Sequence, residues 1–201
     1  MKIPRRMRRA TGWRAYKPGA PRPAVRASVP LTLQPARILG LDPGSRATGF
    51  GVVDVGRGEP RYVASGTIRA VGADFPARLK EIFVGVAALV EEYQPDEIAI
   101  ERVFVNRNPD SALKLGQARG AALSATFKSL ASIHEYSPRE VKLGVVGTGA
   151  ADKTQVQKMV GILLGLDGPL GADAADALAI ALCHAHGRAA RLAMAAADGG
   201  P

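Results

Sequence analysis

Arg37-Ile38-Leu39-Gly40-Leu41-Asp42-Pro43-Gly44-Ser45 carries the decisive pattern, an apolar run that delivers a carboxylate into a turn. Arg37–Asp42 reads as a strand, and Asp-Pro-Gly-Ser supplies the turn chemistry at its end. The position is an expensive one for an acid. An isolated buried carboxylate is strongly unfavourable unless it is protonated, paired or bound to a metal. The pattern recurs at Glu101, which follows Ile98-Ala99-Ile100, and at Asp173 and Asp176, set three apart among the small and apolar residues of 171–180. No basic residue is regularly spaced to pair with these acids. Asp173 and Asp176, at i and i+3, share one helical face. Convergence of all four on hard divalent cations, which prefer oxygen ligands, is the simplest common solution. Each acid alone has an ordinary explanation, as a turn former, a helix cap or a strand-end glutamate. The four together do not.

Working outward, the chain reads as three strands followed by alternating helices and strands. Thr48–Val55 continues from the first strand, Gly56-Arg57-Gly58 makes a hairpin turn, and Arg61–Arg69 completes an antiparallel meander. Leu79, Ile82, Phe83, Val86, Leu89 and Val90 recur at helical spacing over 76–93, with Pro76 suited to a first turn. Glu97–Phe104 is a short apolar strand, Asn108-Pro109-Asp110 opens a helix running to about Leu130, and Ser132–Tyr136 is a fifth strand. Lys153–Leu164 and Asp173–His186 are the last helices. The fold class is therefore α/β, a mixed five-stranded sheet flanked by helices. In such sheets sites form at the carboxyl ends of strands, where Asp42 and Glu101 fall.

The 201 residues suffice for one domain with a real core. Of the 27 Lys and Arg, nine lie in residues 1–36, which hold no acid; the remaining 18 balance the 18 Asp and Glu. The net charge of +9 thus belongs to the terminus. Residues 1–36 read as a disordered basic arm rich in Pro and Arg. That arm is open to three readings: added phosphate affinity, a solvated tail, or a start codon placed too far upstream. The folded domain is expected over 37–188 and a frayed tail over 189–201. One cysteine, Cys183, fits a reducing cytoplasm, and one Cys with three His gives no zinc spacing. No apolar stretch is long enough for a membrane span.

Four blocks carry a resemblance. Ile38-Leu-Gly-Leu-Asp-Pro-Gly-Ser-Arg-Ala-Thr-Gly49, Ala99-Ile-Glu-Arg-Val-Phe104, Asp110-Ser-Ala-Leu-Lys-Leu-Gly-Gln-Ala-Arg-Gly120 and Ala172-Asp-Ala-Ala-Asp-Ala-Leu-Ala-Ile180 resemble, in order and spacing, the signature blocks of the RuvC family. These are bacterial Holliday-junction resolvases with an RNase H-like fold. The resemblance implies that Asp42, Glu101, Asp173 and Asp176 are a metal-binding catalytic tetrad for Mg²⁺, two ions per subunit, with Mn²⁺ able to substitute. It implies a homodimer that makes paired nicks in four-way junction DNA during recombination and repair. The RuvA-RuvB branch-migration complex enters as a partner by resemblance alone. Gly116 and Gly120 have two readings, a dimer interface or packing of their helix on its own sheet.

Phosphate contacts are expected from Lys142 and Lys153, which match basic positions near the family's active site and flank the glycines of 144–149. Arg107, Lys114 and Arg119 are further candidates. Phe104 aligns with a family aromatic that engages bases near the cut, where stacking on a distorted base is the physical rationale. His134, His184 and His186 read as structural or exposed. A junction-binding protein without catalysis and a phosphotransferase of the actin and sugar-kinase type are the alternatives. The intact acids weigh against the first, and the length of the chain, one domain where two are needed, against the second.

Overall fold

The strands β1 (Ala36–Pro43), β2 (Ala47–Val55), β3 (Arg61–Arg69), β4 (Glu97–Glu101) and β5 (Ser132–Tyr136) form one sheet in the order β3-β2-β1-β4-β5. The computed structural model describes residues 34–56, 58–102 and 109–198. β1, β2 and β3 are antiparallel, whereas β4 runs parallel to β1 and β5 parallel to β4. This is the expected mixed sheet. Its parallel half requires crossovers, and helices supply them.

The helices are α1 (Phe75–Tyr93), α2 (Pro109–Thr126), α3 (Pro138–Val146), α4 (Lys153–Leu164) and α5 (Ala172–Asp198). Local chemistry sets several of their ends. Asp74 caps α1 by accepting from the Ala77 N–H at 2.8 Å, with Pro76 in the first turn. Capping boxes open α3 (Ser137 with Glu140) and α4 (Asp152 with Gln155), and Gly147 and Gly165 end them at φ 82° and 60°.

Two apolar layers follow from strand alternation. Ile38, Val53 and Ala99 face α3, α4 and α5 through Val141, Val156, Leu178 and Leu182. Leu39, Leu41, Val52, Ile98 and Ile100 face α1 and α2 through Ile82, Val86, Ala118 and Ala122. Asp42 therefore lies on the α5 side, two residues beyond Gly40, as do both glutamates of β4. Close approach makes α5 the lid of that side. A Cβ on Gly40 would lie 2.2 Å from the carbonyl oxygen of Ala177, and one on Gly49 2.0 Å from that of Asp173. Only glycine lets the helix backbone come so near.

Three expected element ends need correction, and one helix was not expected at all. Residues 138–146 form a helix, α3, in a stretch to which the sequence had assigned no element. β4 ends at Glu101 instead of Phe104, and α2 ends at Thr126 instead of about Leu130. α5 continues to Asp198, past the point where a tail was expected at Ala189. The basic arm as far as residue 33 lies outside the described residues. Among the described residues no helix is long and apolar enough to cross a membrane.

Candidate metal centre

A cleft of about 480 Å³ opens where the carboxyl ends of β1 and β4 meet the start of α5. Asp42, Glu101 and Asp176 line it together with Lys142 of α3 and Lys153 of α4. Asp173 does not line the cleft, but its charge bears on Asp42. Strand alternation places Asp42 and Glu101 on the α5 face, and the close glycine-mediated crossing brings Asp173 and Asp176 to them. The helix start favours acids there because its N–H groups carry positive partial charge.

The electrostatics are those of a site short of positive charge. Burial, then the charge of Asp176, pushes the Asp42 carboxyl well above the ordinary range, with Lys153 pulling the other way. Burial, then Asp42 and Asp176, raises Glu101 likewise. Each of these two carboxyls thus lies in the field of the other, and both resist ionisation while the cleft holds no added positive charge. Lys153 Nζ lies 3.2 Å from Asp176 Oδ2 on a side chain 77% exposed, so it can swing toward a ligand. The three lining carboxylates, with Asp173 close enough to act on Asp42, outnumber the ammonium groups of Lys142 and Lys153 and offer oxygen donors only. This donor set fits hard divalent cations. No three of the four acids bring ligand atoms within 4.8 Å of one another.

The group that does close to 4.8 Å is Glu97, His134 and His184, at the other end of the same sheet face. Its surroundings oppose an ion. Arg188 Nε donates to Glu97 Oε1 at 2.8 Å, and Arg191 Nη2 donates to His184 Nδ1 at 2.9 Å. Since Arg can only donate, His184 Nδ1 accepts and its proton sits on Nε2, 2.5 Å from Glu97 Oε2. A metal-ligating histidine has the reverse arrangement, donating its far N–H to an acceptor. Burial also lowers the His184 pKa and keeps the ring neutral. Burial alone would raise Glu97, but hydrogen bonds from His184 and Arg188 outweigh it and hold the carboxyl down at about 2. Glu97 was not singled out from sequence. Its even spacing from Glu101 and the i, i+4 pair His184 and Arg188 were the available signals.

The remaining expected DNA contacts are scattered. Lys114 pairs with Asp110 at 2.6 Å along α2 and does not line the cleft. Arg119 turns inward, with its side chain 18% exposed, and Nε donates to the Glu101 carbonyl at 3.0 Å. Phe104 and Arg107 lie outside the described residues.

Comparison with known proteins agrees with this geometry. The family model "Crossover junction endodeoxyribonuclease RuvC" matches residues 38–184. Proteins of that name are similar to this chain in Methylococcus capsulatus (56% identity, covering 76% of this chain and 92% of the relative) and Marinobacter nauticus (57%, covering 82% and 94%). Among solved structures, Thermus thermophilus RuvC in complex with Holliday junction substrate matches with a TM-score of 0.71 and 34% identity, over 80% of this chain and 97% of that one. The yeast mitochondrial Holliday junction resolvase Ydc2, at 15% identity and a TM-score of 0.58, shares the fold over 84% of this chain and 87% of its own. With the family model spanning the five strands, all four acids and the first half of α5, the chain belongs to the RuvC family of crossover junction endodeoxyribonucleases.

Proposed function

We propose that this chain resolves four-way DNA junctions as a homodimer, with Asp42, Glu101, Asp173 and Asp176 holding two Mg²⁺ ions in each subunit. The endonuclease activity on crossover junctions, and with it divalent-metal use, follows from the family. The site assignment rests chiefly on one observation. Asp42 and Glu101 are raised by burial and by neighbouring acids, in a cleft whose cations are too few to neutralise them. Ions bound there would stabilise the attacking and leaving oxygens of an in-line displacement and lower the pKa of a bound water.

The chain's own residues supply the rest. Asp42 and Glu101, both raised by burial and neighbouring acids, must be ionised to bind cations, so metal binding favours their deprotonation. Lys153 stands at the mouth beside Asp176, and Lys142 lines the same cleft. Both can offset charge on the scissile phosphate. Products are a 5′-phosphate and a 3′-hydroxyl, which ligase can rejoin.

The exposed face of α2 supports the dimer. Leu113 and Phe127 are 63% and 64% exposed, and a Cβ on Gly116 or Gly120 would meet nothing within 4 Å. These glycines do not serve packing on their own sheet. They leave a flat strip between two large apolar side chains, which a second copy can cover. A two-fold enzyme suits a two-fold junction. Action in the cytoplasm beside the RuvA-RuvB complex completes the reading.

The test is incubation of purified protein with a mobile, labelled four-way junction and Mg²⁺, beside Asp42→Asn. Religatable nicked duplexes from the wild type alone are expected. Binding by both proteins with cutting by neither, across Mg²⁺, Mn²⁺ and varied junction sequences, would make the chain a binding module instead.

A further inference from the structure

We infer that Arg119 is a positioning residue for Glu101, gripping the end of its strand from the opposite face of the sheet. The inference deepens the proposed reading and rests on Glu101 being a metal ligand.

Glu101 is the last residue of β4, and its side chain faces α5. Ile98 and Ile100 point the other way, into the layer covered by α1 and α2. Arg119 comes from that layer, on α2 beside the buried Ala118 and Ala122. Its Nε donates to the main-chain oxygen of Glu101 at 3.0 Å. The N–H of the same peptide unit, on Arg102, donates to the Tyr136 carbonyl at 2.7 Å. Both polar ends of the peptide that follows Glu101 are thus held. Rotation of that peptide would swing the glutamate's Cα and move its carboxylate in the cleft.

The guanidinium has a second anchor. Arg119 Nη2 lies 2.7 Å from Glu135 Oε1, an ion pair in contact but not aligned as a hydrogen bond. Glu135 and Tyr136 are neighbours on β5, and Glu101 pairs in register with Tyr136. Arg119 therefore ties α2 to the ends of two adjacent strands. With Nε on a carbonyl and Nη2 on a carboxylate, it is committed inside the protein, in contrast to an arginine held out for phosphate. The same helix carries the exposed Leu113, with Phe127 just past its end, so the placement of α2 and that of Glu101 are mechanically joined.

The experiment compares Arg119→Met, which keeps an apolar stem without donors, with Arg119→Lys, which keeps the charge. Three quantities are read: the Mg²⁺ concentration giving half-maximal junction cleavage, junction affinity in EDTA, and the rise in Tm on adding Mg²⁺. For Arg119→Met the Mg²⁺ midpoint is expected to rise about tenfold, as for lost outer-shell partners of metal ligands, with junction affinity unchanged. The Mg²⁺-induced rise in Tm shrinks in parallel, and Arg119→Lys recovers part of both. A fall in junction affinity at an unchanged Mg²⁺ midpoint overturns the inference in favour of a DNA contact. A lower Tm at an unchanged midpoint overturns it in favour of packing alone. Glu101→Gln serves as the control. If its Mg²⁺ response equals that of the wild type, the metal reading of Glu101 fails, whatever Arg119 does.

Discussion

β4 carries a glutamate at each end, on one face and under one helix, and the two are treated in opposite ways. At the Glu97 end the protein supplies its own counter-charges: Arg188 and a neutral His184 bond the carboxylate and hold its pKa at about 2. At the Glu101 end it supplies more acids, and burial with Asp42 and Asp176 drives the pKa up. The residue type, the strand and the burial are shared, so the neighbours alone make the difference. A buried acid matched by cations belongs to the architecture. A buried acid set among acids costs the fold stability and is kept for a ligand from outside.

The largest expected effect sharpens this contrast at the Glu101 end. Asp42→Asn and Glu101→Gln should each reduce junction cleavage by about three orders of magnitude, the scale of losing transition-state charge stabilisation, measured in single turnover at saturating Mg²⁺. Glu97→Gln should leave the cleavage rate near wild type at 25 °C, and a comparable loss there would break the comparison.

Stability should respond in the reverse sense. Glu97→Gln removes the carboxylate from beneath Arg188 and should cost about 3 kcal/mol near pH 7 in urea unfolding. The folded pKa of Glu97 lies below its ordinary value of 4.5, so the stability it contributes is complete above that value. It is lost as pH falls from about 4.5 toward 2, and the gap between wild type and variant should close over that window. A gap independent of pH would mean that shape, not charge, holds this end.

Next in size is Lys153→Met. It removes the ammonium beside Asp176 and should slow cleavage about tenfold while leaving Glu97's surroundings untouched, a loss of about 1.4 kcal/mol. The smallest effect is the most diagnostic. Asp42 has a raised folded pKa, so without metal its contribution turns unfavourable as pH rises through the window between the ordinary and the folded value. Metal-free Asp42→Asn should therefore be more stable than the wild type at pH 8, by about 1 kcal/mol, while being inactive. A destabilised Asp42→Asn would show that the acids serve the fold.

What sequence revealed and what it hid divide along the same lines. The acids of the tetrad announce themselves because apolar neighbours make each one conspicuous, and β3, β5 and α4 were bounded by ordinary periodicity and turns. α3 carries glycines that make a helix hard to see in sequence. Gly144 sits inside the helix because a Cβ there would come within 2.9 Å of Cys183 Sγ on α5, so its reason is a contact 39 positions away in the chain. The signal that marks a helix start, Ser137 three residues before Glu140 with Pro138 between, was nevertheless present. Arg119 was hidden for a different reason. A long basic side chain looks the same in sequence whether it reaches into solvent or folds back onto a carbonyl.

α5 runs over both ends of β4 and contributes to each, Asp173 and Asp176 at one, His184 and Arg188 at the other. From Asp176 to Arg188 is twelve residues, about 18 Å of rigid helix. Leu178 and Leu182 help seat that rod on the sheet, but the alanines between them meet glycines and resist sliding less. The ion pair of Arg188 with Glu97 acts as the detent. A slip by a single residue would carry the acids about 1.5 Å along and a hundred degrees around the axis. The far end of the strand thus calibrates the near one, and faults in its polar lock should surface as errors in where the carboxylates stand.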